Sequence, residues 1–489
     1  MSRRSSNATL PVILRCAKAI EPRARYVFDT LFLAAGIPVD FADEPPAAGP
    51  WLLYASSATA QPARERCFAI AHHPASWQLF GGPADAERCT MVDGLVTVFP
   101  EPRGGFDATA GIAFDIIANA FYFLSSWSER AAGNTPQTRR LHASSVFARL
   151  GIPQDVVDRY LDRIVVGIDT LCKRIGSPGW PPLVWPQDRE FALVLSHDVD
   201  FIPDGLFDNL KQGAKTFVRH LVRQRSIGDT AASMAGLARA LAAGRDPYGC
   251  VPEIIAGEKR LGVRSSFQVA VGHRHPDDVN YSIGNDRTRD YLSAITKAGF
   301  DLCLHGSYRS TENPSWYAEE VQLLTDRLGR PSGSRQHFLS FDYDALFEVQ
   351  ERTGIRYDMS MGFPDRPGPR AGFSFPYFPY NLNEDRAYQV LEISLFLMDV
   401  TLQGYMGLRP DAANHTIAAA LADLRRKRGC ASAVWHPIVF GGARDPGYEG
   451  LYWSMIDLVR STGGLAADGA TIERYWRERA RQYSSFSGF

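Results

Sequence analysis

Two spacings of apolar residues recur along the chain: short unbroken runs, and longer stretches in which they return every third or fourth position. Unbroken runs suit strands covered on both faces, and the longer period suits helices with one buried face. Residues 10–15, 50–55, 67–71 and 95–99 read as strands, and residues 23–35, through Val27, Leu31 and Phe32, as a helix. A helix over residues 107–129 carries Ile112, Phe114, Ile116, Ile117, Ala120, Phe121 and Phe123, a face that suits core packing better than a cofactor. Strands alternating with helices predict a small α/β domain over residues 1–135. A polar stretch at 133–140, a helical period over 153–175 and the run GSPGWPPLVWP at 176–186 follow. Proline removes donors and holds the backbone extended, so residues 136–187 are expected to form a helical linker region.

The decapeptide FALVLSHDVD at 191–200 comes next. Its apolar run stops at Ser196, His197, Asp198, Val199 and Asp200, where a parallel sheet would place chemistry at a strand's carboxyl end. Two carboxylates two residues apart repel one another unless a cation or a proton lies between them. The plainer reading is a polar turn in which Asp200 or Asp204 caps the next helix. Strand candidates at 265–271, 300–305, 335–339, 356–361, 390–396 and 431–438 alternate with helical periods at 252–261, 287–298, 316–328, 343–353 and 415–428. Repeated βα units over about 300 residues predict a closed or nearly closed α/β barrel across residues 188–489. A helical insertion at 207–243 separates the first strand from the second, with Lys211, Lys215, Arg219, His220, Arg223 and Arg225 set among Phe217, Leu221 and Val222. A basic amphipathic helix can touch an anionic surface or polymer, although a solvated outer face is its commoner use.

Composition then narrows the class. Hydrophobic residues make up 45% and charged residues 22% of 489, the proportions of a folded soluble chain with room for two or three domains. A net charge of −1 argues against a nucleic-acid footprint over the whole protein. Seven scattered cysteines, none in a CxxC pair, favour reduced thiols and a cytoplasmic location. The apolar LPVIL after Arg3 and Arg4 is stopped by Arg15, too short for a signal peptide, and no run reaches the roughly 18 residues of a transmembrane helix. The oligomeric state is not legible.

Polar residues at the expected strand ends converge. They are His197, Asp198 and Asp200; His305, Ser307 and Tyr308; Arg335, Gln336 and His337; Arg370 in a later turn; and Trp435 with His436. Each alone has a plain explanation: His337 a satisfied core histidine, Arg370 a surface charge, His436 a packed imidazole before Pro437. Three histidines at the same end of different strands, beside an aspartate pair, favour a metal site instead. A carboxylate with two imidazoles suits Zn²⁺ with an open position, and Mn²⁺, Fe²⁺ and Co²⁺ fit nearly as well. Such an ion lowers the pKa of bound water to about 7 and polarises a carbonyl, while a second carboxylate and an imidazole move protons. That machinery hydrolyses an amide or an ester.

Nine segments carry a resemblance, in this order: SHDVD at 196–200, DPY at 246–248, GVRSSFQV at 262–269, LHGSYRS at 304–310, SRQHFLSF at 334–341, YDMSMGF at 357–363, PRAGFSFPYFPYNL at 369–382, LEISLFLMDVTL at 391–402 and VWHP at 434–437. Through them the chain resembles the polysaccharide deacetylase family (carbohydrate esterase family four and its relatives) over most of residues 189–474, particularly a branch with an extra N-terminal α/β domain. The resemblance implies a distorted (β/α)7-type deacetylase barrel preceded by that smaller domain. It implies Asp198 as catalytic base and Asp200 as metal ligand. His305 matches the first of two metal histidines that the family places four apart; position 309 is arginine, and His337 is the candidate replacement. Arg370 matches the arginine that orients the base, with Tyr377 in the groove wall. His436 matches the general acid, Trp435 an apolar floor for the acetyl methyl, and Asp399 a support for His436. Ser307, Tyr308 and Arg335 are taken as further substrate-binding residues and His197 as a packing or supporting one.

The function so implied is metal-dependent removal of an acetyl group from an N-acetylated sugar or glycan precursor. Zn is the preferred ion, with Co, Mn, Fe or Ni as alternatives. Two other readings stay open: a metal-dependent amidohydrolase acting on a non-sugar amide or cyclic imide, and a non-catalytic carbohydrate-binding or assembly protein with a degenerate metal site.

Overall fold

The computed structural model describes residues 9–56, 65–78, 80, 89–99, 105–108, 111–131, 135–218, 221 and 227–486. In the first part, β1 (Leu10–Arg15), β2 (Val39–Phe41), β3 (Trp51–Ala55) and β4 (Cys67–Ala71) lie parallel in the order β2-β1-β3-β4. A hairpin of β5 (Thr90–Val92) and β6 (Leu95–Thr97) follows, and β7 (Phe106–Asp107) with β8 (Gly111–Ile112) extends the sheet as β4-β8-β7. The helix expected from 107 starts later, at Ile116, because Asp115 caps it by accepting from the Ala118 N–H. The residues before it are taken up by β7 and β8.

Helices Glu21–Ala35, Ile116–Leu124 and Val156–Ile175 pack on one another, and the last lies on β4 and β6. Val156–Ile175 buries Val157, Tyr160, Leu161, Ile164, Ile168 and Leu171, an i, i+3, i+4 stripe. Gly167 lets it approach the Phe68 ring, where any side chain would collide. Its first turn reaches the other way: Asp158 accepts from the Ser374 N–H and hydroxyl, and Lys427 lies 3.1 Å from it.

The second part is an α/β barrel. β9 (Phe191–Val199) is buried at every position, as its unbroken apolar run requires. β10 (Ser266–Val269), β11 (Asp301–Gly306), β12 (Gly333–Gln336) and β13 (Tyr357–Asp358) lie beside it in turn, all parallel. After a small hairpin, β14 (Tyr380–Asn381) and β15 (Arg386–Ala387), come β16 (Leu391–Glu392), β17 (Leu395–Met398), β18 (Cys430–Val434) and β19 (Gly464–Ala467). The sheet order is β16-β13-β12-β11-β10-β9-β18-β17, with β19 added on β9. β16 and β17 end that path yet belong to one stretch of chain, so the sheet curls round on itself. The register shift between Leu395 and Leu397 adjoins this bend. β9 is long enough to serve two neighbours on one edge: Phe191–Val194 pairs with β19, and Ser196–Val199 with β10.

One buried apolar core runs through both parts of the molecule. Tyr26 and Phe121 from the first pack on Tyr380 of the second, with ring centroids 4.7 and 5.0 Å apart.

Candidate metal centre and its neighbours

Side chains on a strand alternate between faces, so Ser196 and Asp198 of β9 point into the barrel while His197 points out. The inward pair meets Arg335 of β12, whose Nη1 donates to Asp198 Oδ1 at 2.5 Å, Nη2 to Ser196 Oγ at 2.9 Å, and Nε to the Met359 carbonyl at 3.0 Å. His197 donates instead to the Trp435 carbonyl at 2.6 Å, and its other nitrogen lies 2.8 Å from Glu258 Oε1, which also accepts from the Tyr452 hydroxyl. A one-residue offset on one strand thus separates the residue facing the site from the one holding the outer helices.

At the carboxyl ends of β9, β11 and β12, Asp200, His305 and His337 bring one ligand atom each to within 4.8 Å of one another. His305 Nδ1 lies 2.9 Å from the Arg335 carbonyl, which can only accept, so Nδ1 carries a proton. Its Nε2 then faces Asp200 Oδ1 at 3.2 Å, and that oxygen is buried without a hydrogen-bond donor among the described residues. A neutral imidazole there sets a lone pair against a carboxylate oxygen, an arrangement relieved by a second proton on the ring or by a cation between the two. An Asp/His/His donor set fits a divalent ion such as Zn²⁺, with Co²⁺, Mn²⁺ and Fe²⁺ suited to the same ligands. His337 comes from the residue after β12, where the chain leaves the strand: Phe338 and Leu339 adopt positive φ of 57° and 54°. The expected strand over 335–339 therefore ends at Gln336, and the His337 ring lies 4.8 Å from that of His305.

Burial would lower the His337 pKa, and despite Asp200 it does so, to about 4, which keeps the ring neutral and able to ligate. Asp200 is driven the other way. Burial opposes its ionisation, but the neighbouring His305, His337 and His436 imidazoles hold it far below the usual carboxylate range. For Asp198 burial is again the largest influence; Arg335, then His305 and His436, outweigh it and keep the acid below its ordinary value. His436 follows β18, and Asp399 takes its backbone N–H at 2.9 Å and its Nδ1 proton at 2.7 Å, leaving Nε2 3.4 Å from Asp200 Oδ2. Burial pulls the His436 pKa down, but Asp399 and then Asp200 and Asp198 raise it to about 9.

Arg370 lies elsewhere. Its guanidinium is held by both carboxylate oxygens of Glu129 at 2.9 and 2.8 Å, and over the rings of Phe341 and Phe363. The arginine on Asp198 is Arg335, and its signal in the sequence is its place two residues before His337, near the carboxyl end of the same strand. Tyr377 and Trp435 are fully buried, the first joined to Glu392 through backbone hydrogen bonds and the second donating its indole N–H to the Tyr448 carbonyl at 3.0 Å. Ser307 is buried too, its N–H and hydroxyl given to Glu320. Tyr308 is half-buried and joins an aromatic rim with His275 and the exposed Phe338. Arg309, four residues after His305, reaches Glu312 at 3.1 Å with half its side chain exposed.

No protein-family model matches the chain, and no curated protein sequence matches it either. Among solved structures it is similar to one described as "putative polysaccharide deacetylase from Mycobacterium smegmatis", at 17% identity and a TM-score of 0.42, over 64% of this chain and 99% of that one. It is also similar to "Puue Allantoinase", at 14% identity and a TM-score of 0.39, over 61% of this chain and 94% of that one. At these levels the chemistry of the chain is read from its own side chains.

Proposed function

We propose that this chain is a divalent-metal-dependent hydrolase that cleaves an amide, and that its substrate is an N-acetylated sugar or glycan precursor. The observation that carries the reading is the Asp200, His305 and His337 cluster, flanked by one carboxylate held ionised and one imidazole held protonated. A bound divalent ion supplies a Lewis acid and an activated water at this cluster.

The protein's own groups account for the rest. Asp198 accepts a proton: Arg335 fixes its Oδ1, while Oδ2 lies 3.9 Å from His305 Nε2, on the side of the ligands. His436 donates a proton from Nε2 to the departing nitrogen, its ring fixed by the two bonds to Asp399. Residues Ser196 and Met359 hold Arg335 so that it cannot follow the substrate instead of the base. Tyr308 and the exposed Phe338 offer aromatic surface at the rim against which a sugar ring can pack.

One observation favours the second reading, a smaller non-sugar amide or cyclic imide. The aromatics Phe373, Phe375, Tyr377, Phe378 and Tyr380 are all buried in the core, so they give a sugar no platform. Against a non-catalytic role stands the clearance of Arg309 from the cluster, which leaves Asp200, His305 and His337 assembled.

Metal content measured on the purified chain, paired with product release from N-acetyl sugars, O-acetyl sugars and cyclic imides, tests this. One equivalent of metal with acetate release from N-acetyl sugars is expected. Turnover of the imides alone would transfer the assignment to the second reading, and absence of both metal and turnover would remove the enzyme altogether.

A further inference from the structure

The insertion that follows β9 contains two helices, Leu206–Val218 and Ile227–Ala242, packed side by side. The second is seated on the loop after β18: Ser233 donates to the Ala443 carbonyl at 2.8 Å, and Gly236 lies so close to the Gly442 carbonyl that a side chain would collide. The first begins six residues beyond Asp200. The pair therefore stands beside the end of the barrel that carries the metal centre.

An outer helix of a soluble protein turns its apolar residues inward. Leu206–Val218 does the reverse. Its buried positions are Asn209 and Thr216, with Gly213 set against Leu237. Its exposed ones include Leu206, Phe207, Leu210, Phe217 and Val218, at 59, 77, 50, 38 and 55%. Phe207, Leu210, Ala214 and Phe217 stand at i, i+3, i+7 and i+10, a single stripe, and the exposed Lys211 and Lys215 run along one flank of it.

Charge points to what covers the stripe. The helix carries Lys211 and Lys215 against the lone Asp208, and the sequence continues with Arg219, Arg223 and Arg225, which lie outside the described residues, in a chain whose net charge is −1. A helix lying in a bilayer interface sinks Phe and Leu to the acyl boundary while lysines extend to anionic headgroups. A second copy on the same stripe would set two basic segments against each other. We propose that this face docks the chain on an anionic lipid bilayer, with the metal-centre end of the barrel beside the surface. The docking stands whether or not the barrel hydrolyses amides.

Flotation of the full chain with phosphatidylcholine vesicles, with and without phosphatidylserine, tests it. Binding is expected only with phosphatidylserine, and it weakens with added salt. Phe207→Glu/Phe217→Glu should abolish it, and Lys211→Gln/Lys215→Gln should weaken it by about fivefold per charge, both with the melting temperature of the parent because all four side chains are exposed. Equal binding to both vesicle types, or none to either, overturns the proposal. So does a dimer in sizing experiments that Phe207→Glu/Phe217→Glu dissociates while vesicles leave the parent unbound, since a second copy then covers the stripe.

Discussion

At the scale of single residues, the proposed ligand, base and acid differ in the partner each is given. Asp198 is ionised because a fully buried guanidinium faces it, so Arg335→Met leaves a buried carboxylate without its cation. Removing one partner of such a pair costs roughly 3–5 kcal/mol of stability. The Asp198 pKa rises when its largest charge-stabilising neighbour is lost, so the acidic limb of the rate profile moves to higher pH. A profile with the parental acidic limb would show that Arg335 does not position the base. Asp198→Asn should keep its metal and lose roughly 10²–10⁴-fold in turnover, whereas His337→Ala should lose the metal itself. The two are told apart by metal analysis before any assay. A metal that binds the folded state raises stability by about 2.7 kcal/mol at a hundred times its Kd; adding Zn²⁺ should therefore raise the melting temperature of Asp198→Asn and leave that of His337→Ala unmoved.

At the scale of elements, the interface between the two parts of the molecule uses Arg370. Its pair with Glu129 joins the short helix Trp127–Ala131 to the loop before β14, and both groups are largely withdrawn from water. Arg370→Met should cost roughly 3 kcal/mol in urea unfolding while metal content and turnover per folded molecule stay at the parental level. A loss of turnover at unchanged stability would return Arg370 to the chemistry. The residue was legible in the sequence as important, through its place in PRAGF, but its job depends on Glu129, 241 positions away. His337 is the opposite case: it was legible as a candidate ligand, and the turn of positive φ at Phe338 and Leu339 that follows it was not, since neither residue type signals such a backbone.

At the scale of the whole molecule, the end of the chain is tied back to its beginning. Asp29, on the helix Glu21–Ala35, accepts the Ser485 N–H at 2.9 Å and its hydroxyl at 2.6 Å. Burial raises the Asp29 pKa to about 6, although Ser485 opposes it. An acid whose folded pKa is raised contributes stability that is complete below its unfolded value of about 4 and is lost as pH rises through the folded one. The parent should therefore lose roughly 2–3 kcal/mol from this group between pH 4 and 7. Urea titrations of Asp29→Asn should lack that component, and an unchanged slope would place the proton elsewhere. The barrel itself was legible in outline from the repeated βα units. The way the two ends of its sheet meet was not, because it depends on one segment, Leu391 to Met398, pairing with β13 through its first half and with β18 through its second.

What the sequence determined by itself was local: which stretches are strands buried on both faces, where polar residues interrupt them, and hence that Asp198, Asp200, His305, His337 and His436 share one end of a barrel. Periodicity and residue type carry that information, since alternation along a strand is fixed by its own geometry. Tertiary structure decided the pairings: Arg335 rather than Arg370 on Asp198, the burial of Tyr377 and Trp435 in the core, and the outward apolar face of Leu206–Val218. Each of these depends on a partner from another element, and no spacing within one segment encodes which partner arrives.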